Sequence, residues 1–167
     1  IINSDDPLLG KIDGDFKILR FSLNDSSRDA FYTGKKIVIK NVGKLIPADI
    51  CGMHNIYNQM ASILAAITAG VDIKTIQKVL SEFKGLEHRI EFVRKFNGIK
   101  FYNDSKATNV DSTITALKAL GKKKNIHIIM GGLHKNSPYT PLIPLIKKYV
   151  KTIITIGSAS SIIEKDL

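Results

Sequence analysis

Apolar positions recur along this chain with two different periods, and the change from one to the other marks out its segments. In residues 1 to 50 the β-formers sit in short runs, Lys17-Ile18-Leu19-Arg20-Phe21 and Lys36-Ile37-Val38-Ile39-Lys40, between turn-rich stretches such as Asn24-Asp25-Ser26-Ser27. Such runs predict strands, with antiparallel pairing expected. From His54 to Ala69 the spacing becomes helical, with Ile56, Met60, Ile63, Leu64 and Ile67 on one face and Gly70 as a stop. A second helix is predicted over 72–83, with Ile73, Ile76, Val79, Leu80 and Phe83 on its apolar face and Gly85 beyond it. The two helices make an αα unit.

The run Ile90-Glu91-Phe92-Val93-Arg94-Lys95-Phe96, then Asn97-Gly98, then Ile99-Lys100-Phe101-Tyr102, reads as two strands joined by a favoured two-residue turn. After it the pattern predicts a helix over 109–120 (Val110, Thr113, Ile114, Leu117, Leu120), a strand over 126–130, a helix over 141–150 and a strand over 152–156. Alternation of this kind specifies an α/β class with a parallel, doubly wound sheet. The chain reaches Leu167 just after the start of a further helix, which leaves few strands for such a sheet. An incomplete domain is therefore expected at this end.

Composition narrows the classes. With 44% hydrophobic and 24% charged residues the chain can form one modest core or two small ones. No apolar run approaches the ~18 residues of a membrane span, and Asp5, Asp6, Lys11, Asp13 and Asp15 occupy the place of a signal peptide's apolar stretch. The single cysteine, Cys51, can form no internal disulfide and has no ligand set around it, so a reducing cytoplasm is expected and no metal site is assigned. A formal charge of +10 raises the question of a polyanionic partner. The lysines are scattered (Lys35 and Lys36, Lys122 to Lys124, Lys147 and Lys148) with no aromatic RNA-binding motif or zinc knuckle, so a solvated surface without specific nucleic-acid binding is expected.

Four stretches can carry chemistry. Asn103-Asp104-Ser105-Lys106-Ala107-Thr108-Asn109 lies between a strand and a helix, where α/β proteins place ligands. There an Asp can accept from ribose hydroxyls, a Lys can neutralise phosphate or developing negative charge, and Ser or Thr can hold a carboxylate. Spacing alone is equally compatible with Asn109 or Thr108 capping the helix while Asp104 and Lys106 sit in solvent. Met130-Gly131-Gly132-Leu133-His134-Lys135 also follows an apolar strand, and its paired glycines permit a sharp turn or a close approach. His54-Asn55-Ile56-Tyr57-Asn58 places two amides three residues apart, able to read an adenine edge or to serve the helix start. His88-Arg89 supplies a cation before the hairpin. Neither a G-x-G-x-x-G fingerprint nor a G-x-x-x-x-G-K-[ST] loop is present; Gly34-Lys35-Lys36 lacks both the leading spacing and the hydroxyl.

In this order, Gly52-Met53-His54-Asn55, Gly85-Leu86-Glu87-His88-Arg89 and the 103–109 loop resemble the Mur ligase superfamily. The loop itself is similar to that of the superfamily's D-glutamate-adding members. The resemblance implies that 1–86 is the end of a P-loop-type central ATPase domain, strands plus the αα unit, and that 87–167 is an incomplete Rossmann-like ligase domain, with a hinge near Gly85 to Arg89. It implies an ATP- and Mg²⁺-dependent amide ligase of cytoplasmic peptidoglycan synthesis, acting as a monomer through an acyl phosphate on UDP-N-acetylmuramoyl-L-alanine, D-glutamate and ATP. Asn55 and Asn58 would face adenine, Arg89 and Asp104 contact the nucleotide, Lys106 lie near the transferred phosphate as the catalytic residue, and Thr108 and Lys135 bind a D-glutamate carboxylate. The P-loop, the Mg²⁺ ligands and the UDP-binding domain of the family are not in these residues, so the chain alone is expected to be inactive. A folylpolyglutamate synthase-type ligase and a basic non-enzymatic binding domain are the alternatives; the Asp104-Ser105-Lys106-Ala107-Thr108-Asn109 run argues against the first.

Overall fold

The computed structural model describes residues 1–167, which divide between Lys84 and Gly85 into two units. In the first unit, β1 (Ile2–Asn3), β2 (Arg20–Ser22), β3 (Ala30–Tyr32), β4 (Ile37–Ile39) and β5 (Gly43–Leu45) form one sheet in that order. The β3–β4–β5 meander is antiparallel, as the pattern predicts, but β1–β2 and β2–β3 are parallel. For β2–β3 the reason lies in Asp29. Its carboxylate accepts from the Arg20 amide at 2.7 Å, so the chain re-enters level with the start of β2 and runs the same way. The loop between is tied down by the Arg28–Asp25 ion pair at 2.7 Å and by Lys40 donating to the Ser27 carbonyl.

Period two puts Ile37, Ile39 and Leu45 on the inner face of this sheet, with Phe21 and Ala30, and α1 (Met53–Thr68) lays Ile56, Met60, Ile63 and Leu64 across them. Met60 and Ile63 are fully enclosed, each contributing about 1.5–3 kcal/mol of transfer free energy. The second helix, α2 (Ile73–Glu82), starts on Asp72, whose carboxylate accepts from the Lys74 and Thr75 amides. Its buried face is narrower than predicted: Ile76 and Leu80 are covered, whereas Val79 and Phe83 are exposed. Gln77 explains the roll. Its Oε1 accepts from the Ile46 amide at 2.7 Å and its Nε2 donates to the Ile46 carbonyl at 3.1 Å, turning the helix toward residue 46 and away from the Val79 side.

In the second unit, β6 (Glu91–Phe96) and β7 (Ile99–Asn103) form the predicted hairpin. Asn97 and Gly98 both have positive φ, 47° and 81°, which is the turn whose twist matches that of the strands. A bulge between Phe92 and Arg94 shifts the register. Next come α3 (Val110–Leu120), β8 (Ile126–Gly131), α4 (Ile143–Tyr149), β9 (Val150–Ile156) and α5 (Ser160–Asp166). β8 and β9 pair in parallel, and the hairpin is a separate two-stranded sheet. The helix predicted over 141–150 begins as a 3-10 turn at Thr140–Leu142 and yields Val150 to β9; Pro141 and Pro144 have no N–H to offer an upstream carbonyl. Leu117, Leu142 and Val150 form the core, flanked by Val110, Ile114, Ile128, Met130 and Ile153. The alternate positions Ile129, Ile154 and Ile156 face outward, Ile129 at 65% exposure. The mixed α/β class expected from the alternating pattern is therefore present.

Candidate functional site

The loop after β7 is built from its own side chains. Asn103 Oδ1 accepts from the Ser105 amide at 3.1 Å, and the Ala107 amide donates to the Asp104 carbonyl at 2.8 Å. Asn109 ends the loop by accepting from the Ser112 amide at 2.8 Å, so the capping role open at this position falls to Asn109 and not to Thr108. Asp104 is half-buried, and its Oδ1 accepts from the Ile90 amide at 3.0 Å. The Lys106 amide donates to the His88 carbonyl at 3.1 Å.

The 103–107 and 88–91 segments are thus laced together. Asn103 Nδ2 adds a bond to Glu91 Oε2 at 3.3 Å and lies 2.8 Å from His88 Nδ1, while the His88 amide donates to Glu91 Oε2 at 2.8 Å. His88 and Ile90 both sit at positive φ, 65° and 48°. For a β-branched residue that conformation costs about 1–2 kcal/mol and persists only where neighbours hold it, here the Asp104 carboxylate. Arg89, between them, is exposed, as are Lys106 and Thr108. Backbone strain and carboxylate bonding fix the frame, and the cations project from it into water. That arrangement suits an anionic ligand, because the frame needs no reordering when the charge arrives.

Lys135 lies on the loop after β8. There the Gly132 amide donates to the Ile156 carbonyl at 2.9 Å and the Ala159 amide to the Gly132 carbonyl at 3.0 Å, closing the carboxyl ends of the parallel pair. The His134 ring packs on Tyr139 with centroids 5.7 Å apart, leaving Leu133 and Lys135 exposed. This loop makes no hydrogen bond to 103–109.

Asn55 and Asn58 belong to the first unit, on the opening turn of α1. Asn55 Nδ2 donates to the Cys51 carbonyl at 2.6 Å, and Asn58 Nδ2 donates to Asn55 Oδ1 at 3.4 Å, so the two amides are linked to each other. The helix takes no side-chain cap at Gly52. Sequence reasoning missed a neighbouring cluster. Asp5, read there only as a charge, accepts from Ser22 Oγ at 2.6 Å, the Leu23 amide at 2.7 Å and Tyr57 Oη at 2.8 Å. Burial works to raise the Asp5 carboxyl, but bonds from Ser22, Leu23, Tyr57 and Asn24 outweigh it and hold the group below the usual range. Burial, with the Asp5 bond and charge, pushes the Tyr57 phenol up to about 12. The polar run Asn3-Ser4-Asp5-Asp6-Pro7 after two isoleucines was the available signal, but it marks a turn and gives no partner 52 residues away. No group of three His, Cys, Asp or Glu side chains gathers in a way that would hold a metal ion.

The second unit is a mixed α/β domain with a laced, cation-bearing loop between a strand and a helix. Residues 88–167 match the family model described as Mur ligase, glutamate ligase domain, and the chain belongs to the Mur ligase family. It is 44% identical over 137 residues to the UDP-N-acetylmuramoylalanine--D-glutamate ligase of Elusimicrobium minutum, covering 82% of this chain and 30% of that protein. The Bacillus subtilis protein of the same name is 34% identical over 170 residues, covering 99% of this chain and 37% of its own length. The chain thus spans about a third of the curated relatives it matches. Among solved structures, MurF from Acinetobacter baumannii superposes with a TM-score of 0.68 at 20% identity, over 90% of this chain and 36% of that one, a likeness of fold alone.

Proposed function

We propose that the protein is an amide ligase of peptidoglycan precursor synthesis, joining D-glutamate to UDP-N-acetylmuramoyl-L-alanine at the expense of ATP. The observation that carries this reading is the laced 88–91 and 103–107 frame presenting Arg89 and Lys106, in a chain whose relatives bear that ligase name. In the reaction a substrate carboxylate oxygen attacks the γ-phosphorus of ATP and ADP leaves. The D-glutamate amine then attacks the acyl carbon of the resulting acyl phosphate, loses its proton, and expels inorganic phosphate as the amide forms. Both steps concentrate negative charge on phosphoryl or acyl oxygens, and preorganised cations lower that barrier most effectively.

Within this reading residues 1–86 are the end of the central ATPase domain and 87–167 belong to the ligase domain. The Asn55 and Asn58 amides read the adenine edge, Asp104 and Arg89 hold the nucleotide, and Lys106 faces the transferred phosphate. Thr108 and Lys135 take a D-glutamate carboxylate. The chain's own carboxylates do not cluster as a Mg²⁺ site. Mg²⁺, when bound, neutralises phosphate charge. No helix is long and apolar enough to cross a membrane. Within this reading the enzyme works in the cytoplasm as a monomer.

The test is phosphate release by the full-length protein with ATP, Mg²⁺ and UDP-N-acetylmuramoyl-L-alanine, offered D-glutamate, L-glutamate, L-lysine or meso-diaminopimelate in separate reactions. Release with D-glutamate alone supports the reading. Release with another acceptor moves the protein to a sister ligase, and silence with all four refutes it.

A further inference from the structure

We infer that Asp5 and Tyr57 form a positioning device for the amides of Asn55 and Asn58, setting how the opening turn of α1 meets the base of its nucleotide. The inference rests on the proposed reading of those two asparagines as adenine ligands.

The apolar face of α1, Ile56, Met60, Ile63 and Leu64, holds the helix against its sheet, but apolar contacts are non-directional and tolerate small rolls and slides. Directional bonds do not. Two of them leave the same turn. Tyr57 Oη donates to Asp5 Oδ2 at 2.8 Å, and Gln59 Oε1 accepts from the Ala48 amide at 2.7 Å. They reach segments on different parts of the chain, residue 5 beyond β1 and residue 48 beyond β5, and so fix the turn between two points. Asn55 and Asn58 flank Tyr57 on that turn.

Asp5 is itself immobilised to a degree that a lone helix contact would not need. Ser22, with 0% exposure, donates its Oγ at 2.6 Å, the Leu23 amide donates at 2.7 Å, and Asn3 Oδ1 accepts from the Asp5 amide at 3.0 Å. Ser22 Oγ in turn accepts from the Asn24 and Asp25 amides at 2.9 and 2.8 Å. A carboxylate gripped from three sides is a fixed reference point, and Tyr57 transmits that reference to the helix carrying the amides. Neither residue is a catalytic residue in this scheme; both act through Asn55 and Asn58.

The test is a double-mutant cycle in the full-length protein, with KM for ATP, kcat and the ATP-to-GTP preference as readouts. Tyr57→Phe removes only the hydroxyl and is expected to raise KM for ATP about fivefold, the size of one net hydrogen bond, and to reduce the preference for ATP over GTP. Asp5→Asn should change both in the same direction. On an Asn55→Ala/Asn58→Ala background, Tyr57→Phe should leave KM and preference where that background sets them. An equal effect on both backgrounds, or an unchanged ATP-to-GTP preference with a merely lowered melting temperature, would overturn the inference and leave a structural bond. If Asn55→Ala/Asn58→Ala itself leaves KM for ATP unchanged, it is the adenine reading that has failed, and the inference falls with it.

Discussion

Gly131, the last residue of β8, and Gly132, the first of the loop after it, answer to different physical constraints, and alanine at each separates them. A Cβ on Gly131 would lie 1.8 Å from the Ile156 carbonyl oxygen, 2.8 Å from its carbon and 2.9 Å from its nitrogen, all backbone atoms that cannot swing aside. The strands must separate by roughly 1.5 Å before such a contact becomes ordinary. That separation breaks the Gly131–Ile156 pairing and the 2.9 Å bond from the Gly132 amide to the Ile156 carbonyl. Two backbone bonds at about 1 kcal/mol each, with residual strain of about 1–2 kcal/mol, give about 3–4 kcal/mol for Gly131→Ala. At Gly132 a Cβ would meet nothing within 4 Å, so Gly132→Ala bears only the cost of φ at 96°, about 1–2 kcal/mol. Urea denaturation with hydrogen exchange read at the β8 and β9 amides isolates this unit from the other. If Gly131→Ala costs no more than Gly132→Ala, the close approach of the two backbones does not constrain the loop and the reasoning fails.

Lys106→Ala should lower turnover of the full-length protein by at least about a hundredfold while shifting stability by less than about 0.5 kcal/mol, since the exposed side chain holds nothing and only its amide laces the frame; initial rates beside a melting curve decide it, and full activity would remove Lys106 from the mechanism. Asn109→Ala should cost about 1 kcal/mol through the lost bond to the Ser112 amide, measured by denaturant midpoint, with Asn109→Asp retaining most of it. The Asp5 carboxyl is lowered from 3.8 in the folded state, so its contribution is present above that value and is lost as pH falls through the lower folded one. The Tyr57 phenol runs the other way. It is raised from 10.0 to about 12, so its contribution is full below 10.0 and disappears as pH rises toward about 12. Stability measured against pH should therefore lose its Asp5 acid component in Asp5→Asn and show a smaller alkaline one, since burial of the phenol remains after the Asp5 bond and charge are gone; an unchanged profile would show that the bond carries no weight.

Elements with a strong period were legible from residue order alone. The α1 face, the Asn97-Gly98 hairpin and the start of α3 at Asn109 each depend on neighbours within four residues, and local sterics and hydrogen bonding decide them. The 103–109 loop was legible as a candidate because its residue types are unusual between a strand and a helix. What the order of residues could not contain was any bond whose partner lies far along the chain. The parallel course of β3 depends on Asp29 meeting Arg20, and the roll of α2 on Gln77 meeting Ile46. The frame around Lys106 depends on Asp104 holding Ile90 across 14 positions, and the Asp5–Tyr57 bond spans 52. Polar side chains carry no periodicity that names a distant partner. Apolar spacing tells which face turns inward, whereas a directional bond exists only once the fold has brought donor and acceptor within reach.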